Sequence, residues 1–267
     1  MRRRPGTWLL FWGIVLWACG FPGAAPAADW PMWRCDPNRS SCTPDALPAR
    51  LHCQWVLRGR PLAPAWPDDP RMAFDAAYQP IVKGNALFVG SSRGNFVVAV
   101  GIDDAAEKWR FYTNGPVRLA PVAWKDAVYV ASDDGCLYCL DAVTGKLRWR
   151  FRGAPSDRRV LGNERLISMW PARGGPVVYD GPATRSGRAE VYFAAGIWPF
   201  MGVFLYALDA TTGDLVWCNE SAGSVYIKQP HDSAAFGGIA PQGYIVATAE
   251  RLFVPNGRAA AAAFDRH

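Results

Sequence analysis

The chain has 267 residues, of which half are hydrophobic and 19% are charged, and this excludes a disordered or wholly solvated protein. Its 26 Gly, 22 Pro and 13 Trp favour many short strands joined by tight turns over long helices. The net charge is +6, but the arginines at 2–4 supply half of it. The remaining excess is too small and too dispersed to indicate a nucleic-acid partner.

The first 28 residues have the pattern of an export signal. The arginines at 2–4 precede an apolar run at 7–18 and then small residues. A run of 12 residues is shorter than the roughly 20 that span a bilayer, so we expect cleavage after Ala27 or Ala28 and no membrane span. The residues around Cys19 offer an alternative, a lipid anchor on that cysteine. In either case the mature chain is expected in the periplasm or cell envelope.

Two cysteine pairs stand out. Cys35 and Cys42 flank a polar, turn-rich stretch, and export permits disulfides, so we predict a bridge between them. Cys136 and Cys139 have the spacing of a redox or metal pair. They lie in an alternating segment that predicts a strand, in which residues three apart point to opposite faces. We therefore interpret this second pair as buried structural thiols and predict no metal site.

Two segments of the chain repeat one another. Residues 137–149 and 205–217 agree at nine positions in identical spacing. The shared turn and aromatic positions are Asp141, Thr144, Gly145 and Trp149 in one copy and Asp209, Thr212, Gly213 and Trp217 in the other. A weaker copy ends at Trp109, 40 residues before Trp149, and this is the length of one four-stranded propeller blade.

The repeat has a physical interpretation. Its alternating residues predict a strand, Asp-x-x-Thr-Gly predicts a tight turn, and a second strand carries the Trp. A lone hairpin cannot bury that Trp, so neighbouring units must stack. A further strand pair precedes each hairpin, beginning near Ile81, Val122 and Val177. Four-stranded antiparallel blades in series predict an all-β protein with the β-propeller architecture.

The motif also carries a family resemblance. Ala-x-Asp-x-x-Thr-Gly-x-x-x-Trp, which ends at Trp217, resembles the docking motif of PQQ-like (quinoprotein-type) propeller repeats, and Cys139 replaces the Ala in the copy through Trp149. The chain resembles exported PQQ-like repeat proteins of planctomycete-type bacteria. It is more distantly similar to the propeller lipoprotein of the outer-membrane β-barrel assembly machinery. This implies a fold but no single function, because the same blades occur in dehydrogenases and in scaffolds.

We expect three regions: the signal at 1–28, an N-terminal segment at 29–78, and blades at 79–267. A strand near 51–58, around Trp55, is predicted to close the ring by completing the last blade. The rest predicts about three complete blades and a partial fourth. Since proteins with this motif usually have more blades, we interpret the chain as part of a larger ring. A closed ring of four blades is the alternative.

The insertion between Arg152 and Arg188 interrupts the blade rhythm, and binding residues often lie on such loops. Arginines with exposed Trp suit an anionic or carbohydrate ligand. The candidate binding residues there and nearby are Arg158, Arg159, Asn163, Arg165, Trp170, Arg173, Trp198 and His231. The alternative is a loop that covers an apolar edge, with His231 solvated. No residue is predicted to be catalytic.

The sequence therefore predicts an exported, non-catalytic binding or scaffolding propeller whose face holds a protein, a peptide or a polysaccharide. The alternatives are a PQQ-dependent dehydrogenase and a propeller fused to a catalytic domain outside this chain. The resemblance implies that such dehydrogenases hold PQQ and calcium at the centre of a full ring and often join adjacent cysteines. This sequence has no Cys-Cys dipeptide and no marked calcium ligands, so we expect neither cofactor.

Overall fold

The computed structural model describes residues 28–162, 165–181, 184–223, 225–228, 231–256 and 260–266. The predicted signal, including Cys19, lies outside these residues except for its last position. Regular structure in the described residues is almost entirely strand, with two short 3-10 turns at Pro70–Met72 and Pro199–Met201. The predicted class, an all-β fold, is confirmed.

The strands follow one another in four-stranded antiparallel sheets. The first blade comprises β1 (Ile81–Lys83), β2 (Ala86–Ser91), β3 (Phe96–Gly101) and β4 (Glu107–Tyr112). The second comprises β5 (Val122–Trp124), β6 (Ala127–Ala131), β7 (Cys136–Asp141) and β8 (Leu147–Arg152), after which a hairpin of β9 (Arg159–Gly162) and β10 (Arg165–Ser168) occupies the predicted insertion.

The third blade comprises β11 (Gly174–Tyr179), β12 (Glu190–Ala195), β13 (Phe204–Asp209) and β14 (Leu215–Asn219). A second hairpin follows, made of β15 (Tyr226–Lys228) and β16 (Ala234–Phe236), and then β17 (Gly243–Tyr244), which pairs in parallel with β11. The partial fourth blade comprises β18 (Val246–Ala247), β19 (Arg251–Val254) and β20 (Ala262–Asp265). The structure thus has three complete blades and a partial fourth, as the repeats predict.

The seam between the first two blades is built on the repeat motif. Asp141 Oδ1 accepts hydrogen bonds from the backbone N–H and the hydroxyl of Thr144, both at 2.8 Å, and these bonds close the turn. Gly145 has a φ of +70°, a conformation that glycine adopts without strain. The Trp109 ring packs against this glycine, and its Nε1 donates to the Ala142 carbonyl at 3.0 Å. The turn of one blade thus receives the outer-strand Trp of the blade before it.

The next seam uses the same arrangement. The Trp149 ring packs against Gly213, which has a φ of +78°, and its Nε1 donates to the Thr211 carbonyl at 3.1 Å. In the third blade, Trp217 lies 6.0 Å from the Tyr192 ring, close to the 5.8 Å between Trp149 and its own partner ring, Tyr129. Trp217 Nε1, however, is buried without an acceptor among the described residues.

The first strands of the blades surround residues 30–39, which we call the hub segment. Trp30 forms an antiparallel bridge with Val82 of β1. Two backbone bonds join the segment to other blades: the Ala123 N–H of β5 donates to the Pro31 carbonyl at 2.7 Å, and the Ala247 N–H of β18 donates to the Pro37 carbonyl at 2.9 Å. The hub segment therefore contacts the inner strands of the first, second and fourth blades through its backbone.

Arg39 completes this set of contacts. Its guanidinium donates to the carbonyls of Pro176 in β11, of Ile245 and of Trp33, at 2.8–3.1 Å. It also lies 5.5 Å from the centroid of the Tyr244 ring, which stacks on Trp33 at 5.0 Å. Burial lowers the pKa of Arg39 to about 10, so the side chain remains cationic at neutral pH. We call the space between the inner strands of the blades the hub. It is thus filled by residues 30–39 of the chain itself.

The ring-closing strand predicted near 51–58 is not formed. These residues have no strand pairing, and Leu51 and Val56 are 73% and 71% exposed, so no sheet edge receives them. Only Trp55 is anchored, through a 2.7 Å bond from Nε1 to the Ile102 carbonyl in the β3–β4 turn. This matches the bond that Trp109 makes to the corresponding turn of the second blade. The aromatic position of the repeat is therefore occupied although its strand is missing.

The predicted bridge between Cys35 and Cys42 is also not formed, and both thiols are free. The stretch between them does turn back on itself, because the Ser41 N–H donates to the Arg34 carbonyl at 3.1 Å. Its positive φ angles at Arg34, Cys35, Arg39 and Ser41 direct the chain so that Arg39 reaches the hub. The turn therefore positions a cation and does not join the two sulfurs.

Candidate functional site

The two ends of the blades differ in what they carry. One end, the turn face, holds the short β3–β4, β7–β8 and β13–β14 turns that receive the tryptophans. The other end, the loop face, holds the β2–β3, β6–β7 and β12–β13 connections, the links between blades and both inserted hairpins. Candidate functional residues are concentrated on the loop face.

A buried group of charged side chains lies beneath the loop face. We call Asp75, Arg118, Asp133 and Arg173 the face cluster. Arg173 contacts both oxygens of Asp133 at 2.9 Å, and Arg118 donates to Asp133 at 2.5 Å and to Asp75 at 2.7 Å. All four residues are at most 7% exposed. The cluster joins the N-terminal segment to the second and third blades.

The electrostatics of the face cluster are those of a structural network. Burial opposes ionisation of Asp133, but the charges of Arg173 and Arg118 outweigh it and hold the pKa of that carboxyl below its ordinary value. Burial raises the pKa of Asp75 despite the Arg118 charge beside it. The cluster contains two carboxyl groups and two guanidinium groups in contact. When all four are ionised, their charges cancel and each buried charge has a counterion.

The structure separates the predicted binding residues into two groups. Arg173, predicted to bind a ligand, is 1% exposed and donates from Nε and one Nη nitrogen to Asp133, so it lies inside the protein and does not present its guanidinium at the surface. Arg165 donates to the Ser92 and Arg93 carbonyls and to Asn95, tying the β9–β10 hairpin to the first blade. It also lines an open groove of 690 Å³ together with Trp66 and Asp68.

The remaining candidates lie at or near the surface. Arg158, Arg159 and His231 are exposed, Trp198 is half-buried beside the 3-10 turn, and Asn163 lies outside the described residues. Trp170 is half-buried, and its Nε1 donates to the Met201 carbonyl at 2.7 Å. Trp170 thus connects the first hairpin to the β12–β13 connection and does not present its ring for stacking.

Both inserted hairpins expose apolar side chains. In the first, Val160 and Ile167 face inward, whereas their neighbours Leu161 and Leu166 form an opposed pair that is 76% and 61% exposed. In the second hairpin, Ile227 of β15 is 45% exposed, and Val225 just before it is 47% exposed. Residues next to each hairpin, Trp170 after the first and Ala222 before the second, belong to one core cluster with Val203 of the β12–β13 connection.

The residues of the hub and loop face do not fit a quinone–calcium centre. The hub cation Arg39 bonds to three backbone carbonyls, and Arg118 and Arg173 are paired with carboxylates. Pyrroloquinoline quinone carries three carboxylates that would need such cations. Among the described residues, no three His, Cys, Asp or Glu side chains are grouped to hold a metal. Cys136 and Cys139 lie in the cores on opposite sides of the second blade.

The sequence analysis did not identify Arg39, Asp75, Arg118 or Asp133 as functional candidates. For the two arginines of the face cluster, a signal was present in the repeats. Arg118 and Arg173 each stand three residues before a Pro-Val pair that begins a blade, so they occupy one repeat position. Asp133 and Asp75 have no equivalent pattern. Their roles follow from contacts between distant parts of the chain.

Comparison with known proteins agrees with this architecture. A family model described as "Outer membrane protein assembly factor BamB" matches residues 33–196, which is more than half of the chain. The chain belongs to this family. The matched region begins inside the hub segment and continues to the end of β12, so it includes the first two blades and half of the third.

The individual proteins to which the chain is similar include dehydrogenases. The dehydrogenase subunit of a quinone alcohol dehydrogenase from Gluconobacter oxydans is 33% identical over 94 residues, which cover 35% of this chain and 11% of that protein. A quinohemoprotein alcohol dehydrogenase from Comamonas testosteroni matches 85% of the chain with a TM-score of 0.54 and 17% identity. Another, from Pseudomonas putida HK5, matches 66% with a TM-score of 0.50 and 19% identity.

These likenesses establish the fold, and they extend over part of each relative. The chain covers 35% of the Comamonas enzyme and 27% of the Pseudomonas enzyme. In the part of this chain that the structure describes, no helix has the length and apolar character to cross a bilayer.

Proposed function

We propose that this chain is an exported, non-catalytic propeller module that binds a protein partner through its loop face. The observation that carries the proposal is the exposure of apolar side chains on both inserted hairpins, Leu161 and Leu166 on the first and Ile227 on the second. A hairpin with one buried face ordinarily exposes polar residues on the other. Grouped apolar side chains on a soluble surface are typical of protein interaction sites.

The chemistry of this surface favours a protein over a polysaccharide. Leu161 and Leu166 lie directly opposite each other and offer aliphatic area without hydrogen-bonding groups, which suits apolar side chains of a partner. Arg158 and Arg159 are exposed next to this pair and can form the polar rim of an interface. The family description, an assembly factor for outer membrane proteins, supports a protein as the partner. The N-terminal pattern supports export.

A site-specific photocrosslink tests the proposal. A photoreactive benzoylphenylalanine in place of Leu166 is expected to yield one discrete protein adduct in the cell envelope of an expressing bacterium. The matched control places the same residue at Val143, which is 78% exposed in the β7–β8 turn of the opposite face and should give none. Adding Ile227→Glu to the Leu166 variant should reduce the adduct at least fivefold. No adduct at 166, or equal adducts at 166 and 143, would contradict the proposal.

The dehydrogenase alternative has its own test. The purified chain is mixed with pyrroloquinoline quinone and calcium, and alcohol-dependent dye reduction is followed. We expect no turnover, because the hub is filled by residues 30–39 and its cation is engaged. Stoichiometric quinone binding with turnover would replace the scaffold proposal by the enzyme alternative.

A further inference from the structure

The outer strand of the second blade, β8, differs from the outer strands of its neighbours. It is the last strand of its sheet, so one of its edges is unpaired. Arg148, Arg150 and Arg152 alternate along it with Trp149 and Phe151. The pairing with β7 is regular from Trp149 to Arg152, and alternate residues of a strand share a face, so the side chains of Arg150 and Arg152 project from one side of β8.

The unpaired backbone groups of β8 belong to the same arginines. The Gly153 N–H bonds to the Gly135 carbonyl at 2.9 Å, so 135 and 153 form a hydrogen-bonded pair. In an antiparallel ladder, hydrogen-bonded and non-hydrogen-bonded pairs alternate. Arg152 opposite Cys136 and Arg150 opposite Tyr138 are therefore non-hydrogen-bonded pairs. The N–H and C=O groups of Arg150 and Arg152 point away from β7, toward the open edge.

The charges at this edge are incompletely neutralised. Arg148 contacts Asp126 and Asp141, both at 2.6 Å. Arg150 and Arg152 are exposed, and neither forms an ion pair or a side-chain hydrogen bond with the described residues. Two cations are thus available beside two sets of outward backbone groups.

The other outer strands lack this combination. In β4, the equivalent Arg110 is bound to Glu107 at 2.5 Å and lies 4.1 Å from the centroid of the Phe96 ring. In β14, Cys218 stands at the equivalent position, and the strand carries no charged residue. The feature is therefore particular to the second blade and is not a consequence of the repeat.

We propose that the free edge of β8 binds an extended acidic segment of a partner protein, which adds to the blade as a fifth, antiparallel strand. Backbone hydrogen bonds to Arg150 and Arg152 give affinity, and carboxylates opposite the two guanidiniums give specificity. This surface is separate from the hairpin surface, and the proposal does not depend on it.

The geometry specifies the occupant. A residue directly opposite Arg150 or Arg152 in an added strand has its side chain on the same face, with Cβ atoms about 5 Å apart. Acidic residues must therefore stand two apart in the partner, at a spacing of about 6.6 Å along the strand. Consecutive acidic residues would place every second carboxylate on the wrong face.

A labelled synthetic peptide tests this requirement by fluorescence anisotropy. The probe is Ser-Thr-Glu-Val-Glu-Val-Thr-Ser, and the control peptide has the same composition with its two glutamates adjacent, so that only one of them can face the arginines. We expect the control to bind at least tenfold more weakly to the unmodified chain. Equal affinity of the two peptides, or no binding of either at millimolar concentration, would overturn the proposal. In the second case the arginines serve only to protect the edge from aggregation.

Backbone methylation distinguishes strand addition from simple charge attraction. The glutamate N–H groups would face β8, whereas the valine N–H groups would face solvent. N-methylation of the glutamates should lower affinity at least tenfold, and N-methylation of the valines should change it less than threefold. Equal effects of the two modifications would contradict strand addition. This comparison uses the unmodified chain and is independent of variant folding.

Charge variants locate the site on the chain. Arg150→Glu with Arg152→Glu should weaken binding at least tenfold. The matched control, Arg185→Glu with Arg251→Glu, changes the same charge at two exposed positions elsewhere and should change affinity less than twofold. Both variants should keep the wild-type circular dichroism spectrum. Equal weakening by the two pairs would show nonspecific attraction and overturn the proposal.

Discussion

The seams between blades and the hub are organised in opposite ways. At the first two seams, the outer-strand Trp packs on a glycine of the next turn and donates to a turn carbonyl, so one short motif provides the contact repeatedly. At the hub, a unique segment and one cation, Arg39, contact the inner strands of all four blades. The difference shows that repetition encodes neighbour contacts, whereas the centre depends on residues that occur once. The two binding surfaces that we propose, on the inserted hairpins and on β8, lie outside this filled centre.

The largest expected effect comes from breaking the face cluster, whose two carboxylates, like Arg39 of the hub, belong to no repeat. Asp133→Ala removes the carboxylate shared by Arg118 and Arg173 and leaves buried cations without a counterion. We expect the free energy of unfolding, measured by urea denaturation, to fall by about 3–5 kcal/mol. The control is Asp126→Ala, which breaks an exposed ion pair with Arg148 and should cost less than about 1 kcal/mol. Equal losses would show that the cluster is not a buried network.

The second effect tests the seams. Gly145 and Gly84 both have positive φ angles, but a Cβ at 145 would lie 2.5 Å from Cδ2 of Trp109, whereas a Cβ at 84 would meet no atom within 4 Å. Both alanine variants incur backbone strain of about 1–2 kcal/mol. Gly145→Ala should cost about 1–3 kcal/mol more, because the Trp109 ring must shift. Thermal or urea unfolding of the two variants measures the difference, and equal stability would contradict the docking contact.

A smaller effect separates two tryptophans of the repeat. Trp149→Phe removes a donor that bonds to Thr211, whereas Trp217→Phe removes a donor with no acceptor among the described residues. We expect the Trp149 variant to be less stable than the Trp217 variant by about 1 kcal/mol, the typical net value of such a bond. Denaturation midpoints under identical conditions give the comparison. A larger loss in the Trp217 variant would show that its indole nitrogen is hydrogen-bonded in solution.

The smallest expected effect is the change in stability that the face cluster causes when the pH is lowered. The pKa of Asp133 is lowered on folding, so its contribution is complete above its ordinary pKa of about 3.8 and is lost as the pH falls through the folded value. Asp75, whose pKa is raised, acts in the opposite sense. Comparison with the Asp133→Asn variant isolates the contribution of Asp133. Between pH 5 and pH 3 the free energy of unfolding of the wild type should fall more steeply than that of the variant. Equal slopes would contradict the assignment.

The sequence predicted the repeated part of the fold and little of the rest. Trp109, Trp149 and Trp217 occupy the same position of the repeat because each blade repeats the same packing problem, so the blade architecture could be predicted from the repeated motif. The hub segment could not, because Arg39 reaches Pro176 across 137 residues and has no repeat to mark it.

The candidate sites show the same limit. Arg173 and Arg158 are equivalent as residue types in one loop, yet one is buried in the cluster and the other is exposed. Only packing separates them. Hydrophobicity alone could not distinguish the exposed pair Leu161 and Leu166 from core leucines. Their direction follows from the opposite pair, in which Ile167 is buried and Val160 half-buried.

The central claim, that the chain fills its own hub, is tested most directly by hydrogen exchange of single amides in the unmodified protein. The amides of Val82, Ala123 and Ala247 bond to carbonyls of the hub segment. We predict that they exchange as slowly as Val98 and Val130, which lie in the middle of β3 and β6. Exchange as fast as that of the Leu51 amide, in an exposed segment without strand pairing, would show that the hub segment is not seated among the blades.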